Sequence, residues 1–164
     1  DHFTCAKMGI DTNKGLLLSG PVGCGKTSLM KLLLHLAPHK TNYELIPTRN
    51  IVFNFNASGF EILEKYNETK NYCFDDLGVE PTGSHYAKEC NVMGEILLSR
   101  YELFSRHPQL DWGSQQTKFR TKTHITTNLN AQELEKRYGN RVRSRMRAMF
   151  NLISFDENSK DKRN

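Results

Sequence analysis

A glycine-rich stretch, GPVGCGKTS, holds the residues whose types and spacing most clearly specify a chemistry. It matches the pattern G-x-x-x-x-G-K-[ST] in full. Glycines allow successive backbone N–H groups to curl around phosphate oxygens, and the dipole of a following helix favours the same negative charge. Lys26 would reach the β- and γ-phosphates of a nucleotide, and the Thr27 hydroxyl would bind Mg²⁺. The predicted phosphate-binding loop (P-loop) consists of Gly20, Pro21, Val22, Gly23, Cys24, Gly25, Lys26, Thr27 and Ser28.

Two adjacent aspartates supply the acidic half that such a site requires. The sequence YCFDD places Asp75 at the end of a predicted buried strand and Asp76 directly after it. Asp75 would hold Mg²⁺ through water, and Asp76 would orient or polarise an attacking water molecule. Without the P-loop the same pair would be interpreted as a solvated acidic turn. The P-loop favours the functional interpretation.

A third polar group is expected between these two parts of the site. Asn128 follows a predicted strand, THITTN, at the carboxyl edge where open α/β sheets bind ligands. There its side chain would sense the γ-phosphate. An Asn directly after a strand is also a common turn residue or helix cap, and the sequence leaves both interpretations open. Thr126 and Thr127 are less clearly directed at the site.

Alternating strands and helices must position these groups. Because strands that alternate with helices form βαβ units, we expect a three-layer α/β fold with a five-stranded, mainly parallel sheet. Segment 107–120 has no clear period and is predicted to be a surface loop or an insertion, with Trp112 as a packing anchor rather than a base-stacking platform. The predicted strands are 14–20, 50–56, 71–76, 122–128 and 149–156. The predicted helices are 26–36, 59–67, 87–106, 131–138 and, after a break at Gly139, a short helix from Arg141.

The composition excludes several classes of protein. The chain has 164 residues, 37% hydrophobic and 25% charged, which is ordinary for one globular domain. No apolar run approaches the roughly 20 residues that span a bilayer. A net charge of +5 favours a polyanionic partner. The chain begins at Asp1 rather than Met, which leaves open that it is a fragment.

The four cysteines include no CxxC pair, which disfavours a zinc site or a disulfide framework and fits a reducing cytosol. They are Cys5, Cys24, Cys73 and Cys90.

A basic block, RYGNRVRSRMRAMF, packs five arginines between positions 137 and 147. On a helix that starts at Arg141, an apolar stripe is formed by Val142, Met146 and Met149. Arg141 and Arg145 lie along one edge of this stripe. The other edge carries Arg143 and Arg147, which are candidates for contact with a nucleic-acid phosphate backbone. A solvated basic helix remains the alternative.

Several of these blocks together resemble the AAA+ ATPases, and more narrowly the DnaC-type helicase loaders and the IstB-type transposition helper ATPases. The resemblance extends from about Lys14 to Phe155. It implies an AAA+ P-loop NTPase fold without a C-terminal lid domain. The blocks that carry it are GLLLSGPVGCGKTSL, FDDLGVEP, RYELF, ITTNL and RYGNRVRSRM.

The resemblance also implies roles for individual residues. Lys26 and Thr27 would belong to the Walker A motif, and Asn128 would be sensor 1. Asp75 and Asp76 would form the Walker B motif, in which many AAA+ proteins have Glu where Asp76 stands. Arg145 would be an arginine finger, with Arg141 one turn before it, and would reach the γ-phosphate on a neighbouring subunit.

The resemblance implies that the protein hydrolyses ATP with Mg²⁺. It also implies that subunits assemble side by side in a homo-oligomer. The expected partners are DNA, with single strands favoured, and a helicase or a transposase in the cytoplasm. The expected organisation is a linker at 1–13, an ATPase domain at 14–156 and a flexible tail at 157–164. The alternative is a nucleotide-gated binding module with little turnover. A small-molecule kinase would need a lid and an acceptor pocket, and the sequence indicates neither.

Overall fold

Five parallel strands form the central sheet of the computed structural model. The strand order is β2-β3-β6-β1-β7, and β4 and β5 form a separate antiparallel hairpin. The strands are β1 (Gly15–Ser19), β2 (Glu44–Pro47), β3 (Tyr72–Leu77), β4 (Gly83–His85), β5 (Lys88–Cys90), β6 (Thr123–Thr127) and β7 (Phe150–Ser154). The structure describes residue 4 and residues 7–36, 42–106, 121–156, 158–159 and 161–162.

Helices cover both faces of the sheet, as the predicted three-layer fold requires. Side chains alternate across each strand, so neighbouring residues belong to opposite layers. Leu18 and Cys73 pack with α1, whereas Leu17 and Phe74 pack in a larger core with the other helices. The helices are α1 (Lys26–Leu36), α2 (Thr48–Ser58), α3 (Glu61–Lys65), α4 (Val92–Ser105) and α5 (Ala131–Met149).

The predicted strand at 50–56 is wrong, because this segment lies inside α2. Ile51, Val52 and Phe55 are at most 1% exposed, whereas Phe53 is 50% exposed. Positions i, i+1 and i+4 share one face of a helix, so the burial follows a helical period. The β-branched and aromatic residues gave the segment a high strand propensity, which tertiary packing overrides.

The strand that takes its place in the sheet is β2, which the sequence did not indicate. It is only four residues long and lies at the edge of the sheet, where Glu44 pairs with Tyr72 in parallel register. Neither residue at its ends, Glu44 or Pro47, is buried. A strand this short and this exposed has no readable alternation.

Two predicted helices have different bounds in the structure. The helix expected over 59–67 is the shorter α3, and the helix expected over 87–106 begins at Val92. Asn91 caps the longer helix, since its side-chain oxygen accepts from the backbone N–H of Gly94 at 3.1 Å. The residues before it form the β4–β5 hairpin instead.

The break expected at Gly139 is present within α5. Gly139 has φ 85° and ψ 161°, outside the helical region, so the helix consists of two parts. The first part begins with a capping box between Asn130 and Glu133. In the second part the predicted apolar stripe is buried, at no more than 4% exposure for Val142, Met146 and Met149.

Some expectations concern residues outside the described ranges. They are segment 107–120 with Trp112, and Cys5. Cys24 and Cys73 are buried thiols. Among the described residues, no helix combines the length and apolar character that crossing a bilayer needs.

His124 lies within the sheet and is largely removed from water. The backbone N–H of Leu16 donates to its Nδ1 at 3.1 Å, and its ring centroid lies 4.8 Å from that of Tyr43. Burial, with a smaller effect from Lys122, lowers the pKa of His124 to about 4. The imidazole is therefore neutral in the folded protein at neutral pH.

We expect this histidine to make stability depend on pH below neutrality. The unfolded chain takes up a proton near pH 6.5, whereas the folded chain does so near pH 4. The free energy of unfolding should therefore fall as the pH is lowered through this window, by about 2 kcal/mol between pH 7 and pH 4.5. Urea denaturation at both pH values measures it.

His124→Asn is the matched variant, because its side-chain oxygen can accept from Leu16 without titrating. Between the two pH values, the free energy of unfolding of this variant should fall by about 2 kcal/mol less than that of the wild type. Equal losses in both proteins would contradict the assignment.

Candidate functional site

The P-loop connects β1 to α1 and requires glycine at two turns. Gly23 and Gly25 have φ values of 79° and 100°, in a backbone region that residues other than glycine rarely adopt. Because α1 begins at Lys26, the unpaired N–H groups of its first turn lie beside the loop. The local sequence thus builds the anion-binding helix start that the motif predicts.

Lys26 is 4% exposed and is held by the loop itself. Its ammonium donates to the carbonyl oxygens of Gly20 at 2.8 Å and Pro21 at 2.7 Å. A third bond runs to the side-chain oxygen of Asn128 at 2.7 Å. The structure therefore brings Asn128, at the end of β6, into direct contact with the lysine of the P-loop.

Asp75 and Thr27 form the second contact across the site. The Thr27 hydroxyl donates to Asp75 Oδ1 at 2.9 Å, and Asp75 is 6% exposed. The same oxygen accepts from the Thr126 hydroxyl at 2.6 Å. Hydroxyl and carboxylate oxygens are the hard ligands that Mg²⁺ prefers, so the predicted pair, Thr27 and Asp75, fits that ion.

A local irregularity in β3 coincides with its two aspartates, Asp75 and Asp76. The pairing of β3 with β6 shifts register between Phe74 and Leu77, and Asp76 has φ 55°. The shifted segment is held on both sides: Asp76 N donates to the Thr126 hydroxyl at 2.9 Å, and the Thr48 hydroxyl donates to Asp76 O at 3.0 Å. Strand irregularities of this kind often re-aim a side chain beside an active site.

Sequence reasoning missed both threonines as site residues. Thr126 is fully buried and contacts both aspartates. In the sequence it was only one of several threonines near the end of a β-rich segment, which did not assign it to the site. Thr48 directly follows β2, the strand that the sequence did not indicate. Their contacts with the aspartates depend on which strands are neighbours in the sheet, and the sequence does not give that order.

A cavity of about 590 Å³ opens at this edge of the sheet. Its volume lies within the range of small-molecule sites, roughly 300–1,000 Å³. The P-loop, Asp76 and Asn128 all contribute to its lining. The full lining is Val22, Gly23, Cys24, Gly25, Lys26, Thr27, Ser28, Leu29, Asp76, Val79, Asn128, Phe155 and Lys162.

The arginines of the basic block lie on two sides of α5. Arg145 donates to the Tyr101 hydroxyl at 3.3 Å, and its guanidinium lies 4.4 Å from the centroid of that ring. Arg141 is exposed to solvent. Arg143 and Arg147 instead line a groove of about 670 Å³ beside α5 and β7, which shares Asn128 and Phe155 with the P-loop cavity. Of the described residues that line the P-loop cavity, none is an arginine.

The loop after Asp76 is anchored to α5 just before its break. Glu80 is 4% exposed and accepts from the hydroxyl of Tyr138 and, at 2.8 Å, from Gly78 N. Arg137 donates to the Glu80 carbonyl oxygen and lies 3.5 Å from its carboxylate. Burial and the Glu80 charge raise the pKa of Tyr138, which keeps its hydroxyl a donor. This link between the aspartates and the arginine helix had no sequence signal.

Comparison with known proteins agrees with this geometry. The DnaC helicase loader matches with a TM-score of 0.62 and 21% identity, over 88% of this chain and 79% of that chain. DnaA from Aquifex aeolicus, with AMPPCP bound, matches with a TM-score of 0.57 and 16% identity. That match covers 87% of this chain and 40% of DnaA. At such identities the likeness concerns the fold alone, which is that of a P-loop NTPase.

No curated protein matches the chain. The family model described as RNA helicase matches residues 16–103, which contain both the P-loop and the two aspartates. Because these residues make up more than half of the chain, the protein belongs to this RNA helicase family of P-loop proteins and folds like the DnaC helicase loader.

Proposed function

We propose that this chain binds ATP with Mg²⁺ and hydrolyses it, with residues 14–156 as the ATPase domain. The observation that carries the proposal is the convergence of three strand ends on one cavity. There Lys26 contacts Asn128, and Thr27 contacts Asp75. Two separate hydrogen bonds thus join the P-loop to both partners that phosphoryl-transfer chemistry requires.

The mechanism follows from what each group can donate or accept. Lys26 would exchange its bonds to loop carbonyls for bonds to β- and γ-phosphate oxygens. Thr27 would hold Mg²⁺ directly and Asp75 would hold it through water, and the ion would neutralise charge on the same phosphates. Asp76, which lies at the irregularity in β3 and lines the cavity, would orient the attacking water. Asn128 would contact the γ-phosphate from the side opposite the loop.

Substitutions at Lys26 and Asp76 separate ATP binding from hydrolysis. Lys26→Ala should weaken ATP binding by about tenfold or more, since a charged hydrogen-bond donor contributes roughly 1.5–3 kcal/mol. Asp76→Asn should bind ATP normally and hydrolyse it about 100-fold more slowly, which is typical for loss of a general base. Equilibrium binding and phosphate release measure the two effects.

Glu64→Gln is the matched control, because Glu64 is an exposed carboxylate on α3. It should leave both measurements unchanged. Normal turnover by Asp76→Asn would contradict the assignment of Asp76. Tight ATP binding by the wild type with negligible turnover, with or without single-stranded DNA, would favour a nucleotide-gated binding module.

We further propose that Arg145 acts on the ATP of a neighbouring copy in a homo-oligomer, with Arg141 beside it. The lining of the cavity within one chain supports this idea, because none of the described residues that line it is an arginine. Stacking on Tyr101 holds the guanidinium of Arg145 in a defined position on α5. Its planar fork suits charge spread over several phosphate oxygens.

Arg145→Ala should retain its affinity for ATP, but its rate of ATP hydrolysis should fall roughly 1,000-fold, which is at the lower end of the range for arginine fingers. When mixed with Lys26→Ala at assembling concentrations, it should regain part of its activity, because one subunit then supplies the arginine and the other the P-loop. Arg106→Ala, on the exposed end of α4, is the control. Normal hydrolysis by Arg145→Ala would show that the finger lies elsewhere.

For the nucleic-acid partner we propose single-stranded DNA, bound at the β4–β5 hairpin near a helicase or transposase. Tyr86 at the hairpin tip is 93% exposed. Tyr86 and Ala87 have φ values of 49° and 59°, which two-residue hairpin turns normally reserve for Asn or Gly. A strained turn that presents an aromatic ring to solvent supports a binding role. Lys88, which pairs with His85 directly beside the turn, adds a positive charge near the tip.

Tyr86→Ala should weaken binding of a single-stranded DNA oligonucleotide about tenfold, since stacking of one base contributes roughly 1–3 kcal/mol. Tyr86→Phe keeps the ring and should bind normally. Fluorescence anisotropy measures both, with an RNA oligonucleotide of the same sequence for comparison. If Tyr86→Ala binds normally and Arg143→Ala or Arg147→Ala does not, the groove beside α5 is the DNA site instead.

A further inference from the structure

The P-loop cavity has an apolar part in addition to its polar part. Lys26, Thr27 and Asp76 supply charge and hydroxyl groups, whereas Leu29 and Phe155 supply apolar surface. Leu29 lies one turn along α1 from Lys26, and Phe155 packs in the same small core. A site for inorganic phosphates alone would need only the polar part. The division points to a ligand with one anionic and one apolar end.

Phe155 is positioned by the sheet itself. It directly follows β7, and its backbone N–H donates to the Ser19 carbonyl at 2.7 Å, which extends the pairing of β1 with β7. A Cβ at Gly20 would lie 2.7 Å from the Cβ of Phe155. The first glycine of the P-loop therefore allows this residue to pack directly against the loop.

The chain after Phe155 returns to the P-loop. Lys162 N donates to the Gly23 carbonyl at 3.1 Å, and the carboxylate of Asp161 lies where a Cβ on Gly23 would be. Lys162 lines the cavity together with Phe155. Phe155, Asp161 and Lys162 thus all lie beside the P-loop.

We propose that Phe155, together with Leu29, holds the nucleobase of the bound nucleotide, and that Lys162 flanks it. Aromatic stacking on a base contributes roughly 1–3 kcal/mol and accepts any base, because every base has a π-face. The site therefore takes nucleoside triphosphates as a class, with little preference among bases. The proposal rests on the proposed function for the phosphate end of the cavity.

Comparing ATP with inorganic tripolyphosphate tests the proposal, because tripolyphosphate has the phosphates without the base. Phe155→Leu keeps an apolar side chain but removes the ring face. It should bind ATP about tenfold more weakly and tripolyphosphate as the wild type does. Phe155→Trp keeps a ring face and should bind ATP within about threefold of the wild type. Competition against a fluorescent ATP analogue measures all affinities.

Phe53→Leu is the matched control, since Phe53 is a half-exposed phenylalanine on α2. Equal weakening of ATP and tripolyphosphate in Phe155→Leu would overturn the proposal, because the ring would then only support the loop. Unchanged ATP affinity in Phe155→Leu would overturn it as well. If Lys26→Ala leaves both affinities unchanged, the proposed function fails at the phosphate end, which is a different result from either of these.

Discussion

The site depends on one hydroxyl group, that of Thr126, which contacts both aspartates. It donates to Asp75 at 2.6 Å and accepts from the backbone of Asp76 at 2.9 Å. Because Thr126 belongs to β6 and the aspartates to β3, this contact fixes the shifted register between the two central strands. A buried hydroxyl without hydrogen bonds would lower the stability of the fold. These two bonds therefore stabilise the shifted register that positions Asp75 and Asp76.

The lysine of the P-loop shows how folding prepares the site for an anion. Lys26 is almost fully buried, yet its described partners are neutral oxygens and the Cys24 sulfur. A buried cation that lacks an opposite charge is destabilising unless hydrogen bonds compensate for lost water. The hydrogen bonds from the loop and from Asn128 meet part of the desolvation cost of Lys26 before any ligand binds, and a phosphate would add a negatively charged partner. The fold thus favours an anionic ligand over a neutral one.

The sequence predicted the residues whose chemistry has no substitute. A P-loop needs glycine, lysine and a hydroxyl at fixed spacing, and Lys26 and Thr27 follow from that requirement. Asp75 follows from a second pattern, an acidic residue at the end of a buried strand. It failed where packing decides between alternatives: the segment at 50–56 has the composition of a strand but the burial of a helix. Contacts between distant segments were also missed, such as Glu80 with Tyr138, because no local pattern encodes a partner 58 residues away.

The proposed activity requires that Thr27 and Asp75 join a magnesium ion to a nucleotide on the P-loop. The most direct test is the dissociation constant of ATP with and without Mg²⁺, for the wild type and for Asp75→Asn. The amide of Asn can still accept from Thr27 and Thr126 but lacks the charge that binds the ion. We predict that Mg²⁺ strengthens ATP binding about tenfold or more in the wild type and about twofold or less in the variant. Equal dependence on Mg²⁺ in both proteins would contradict the account.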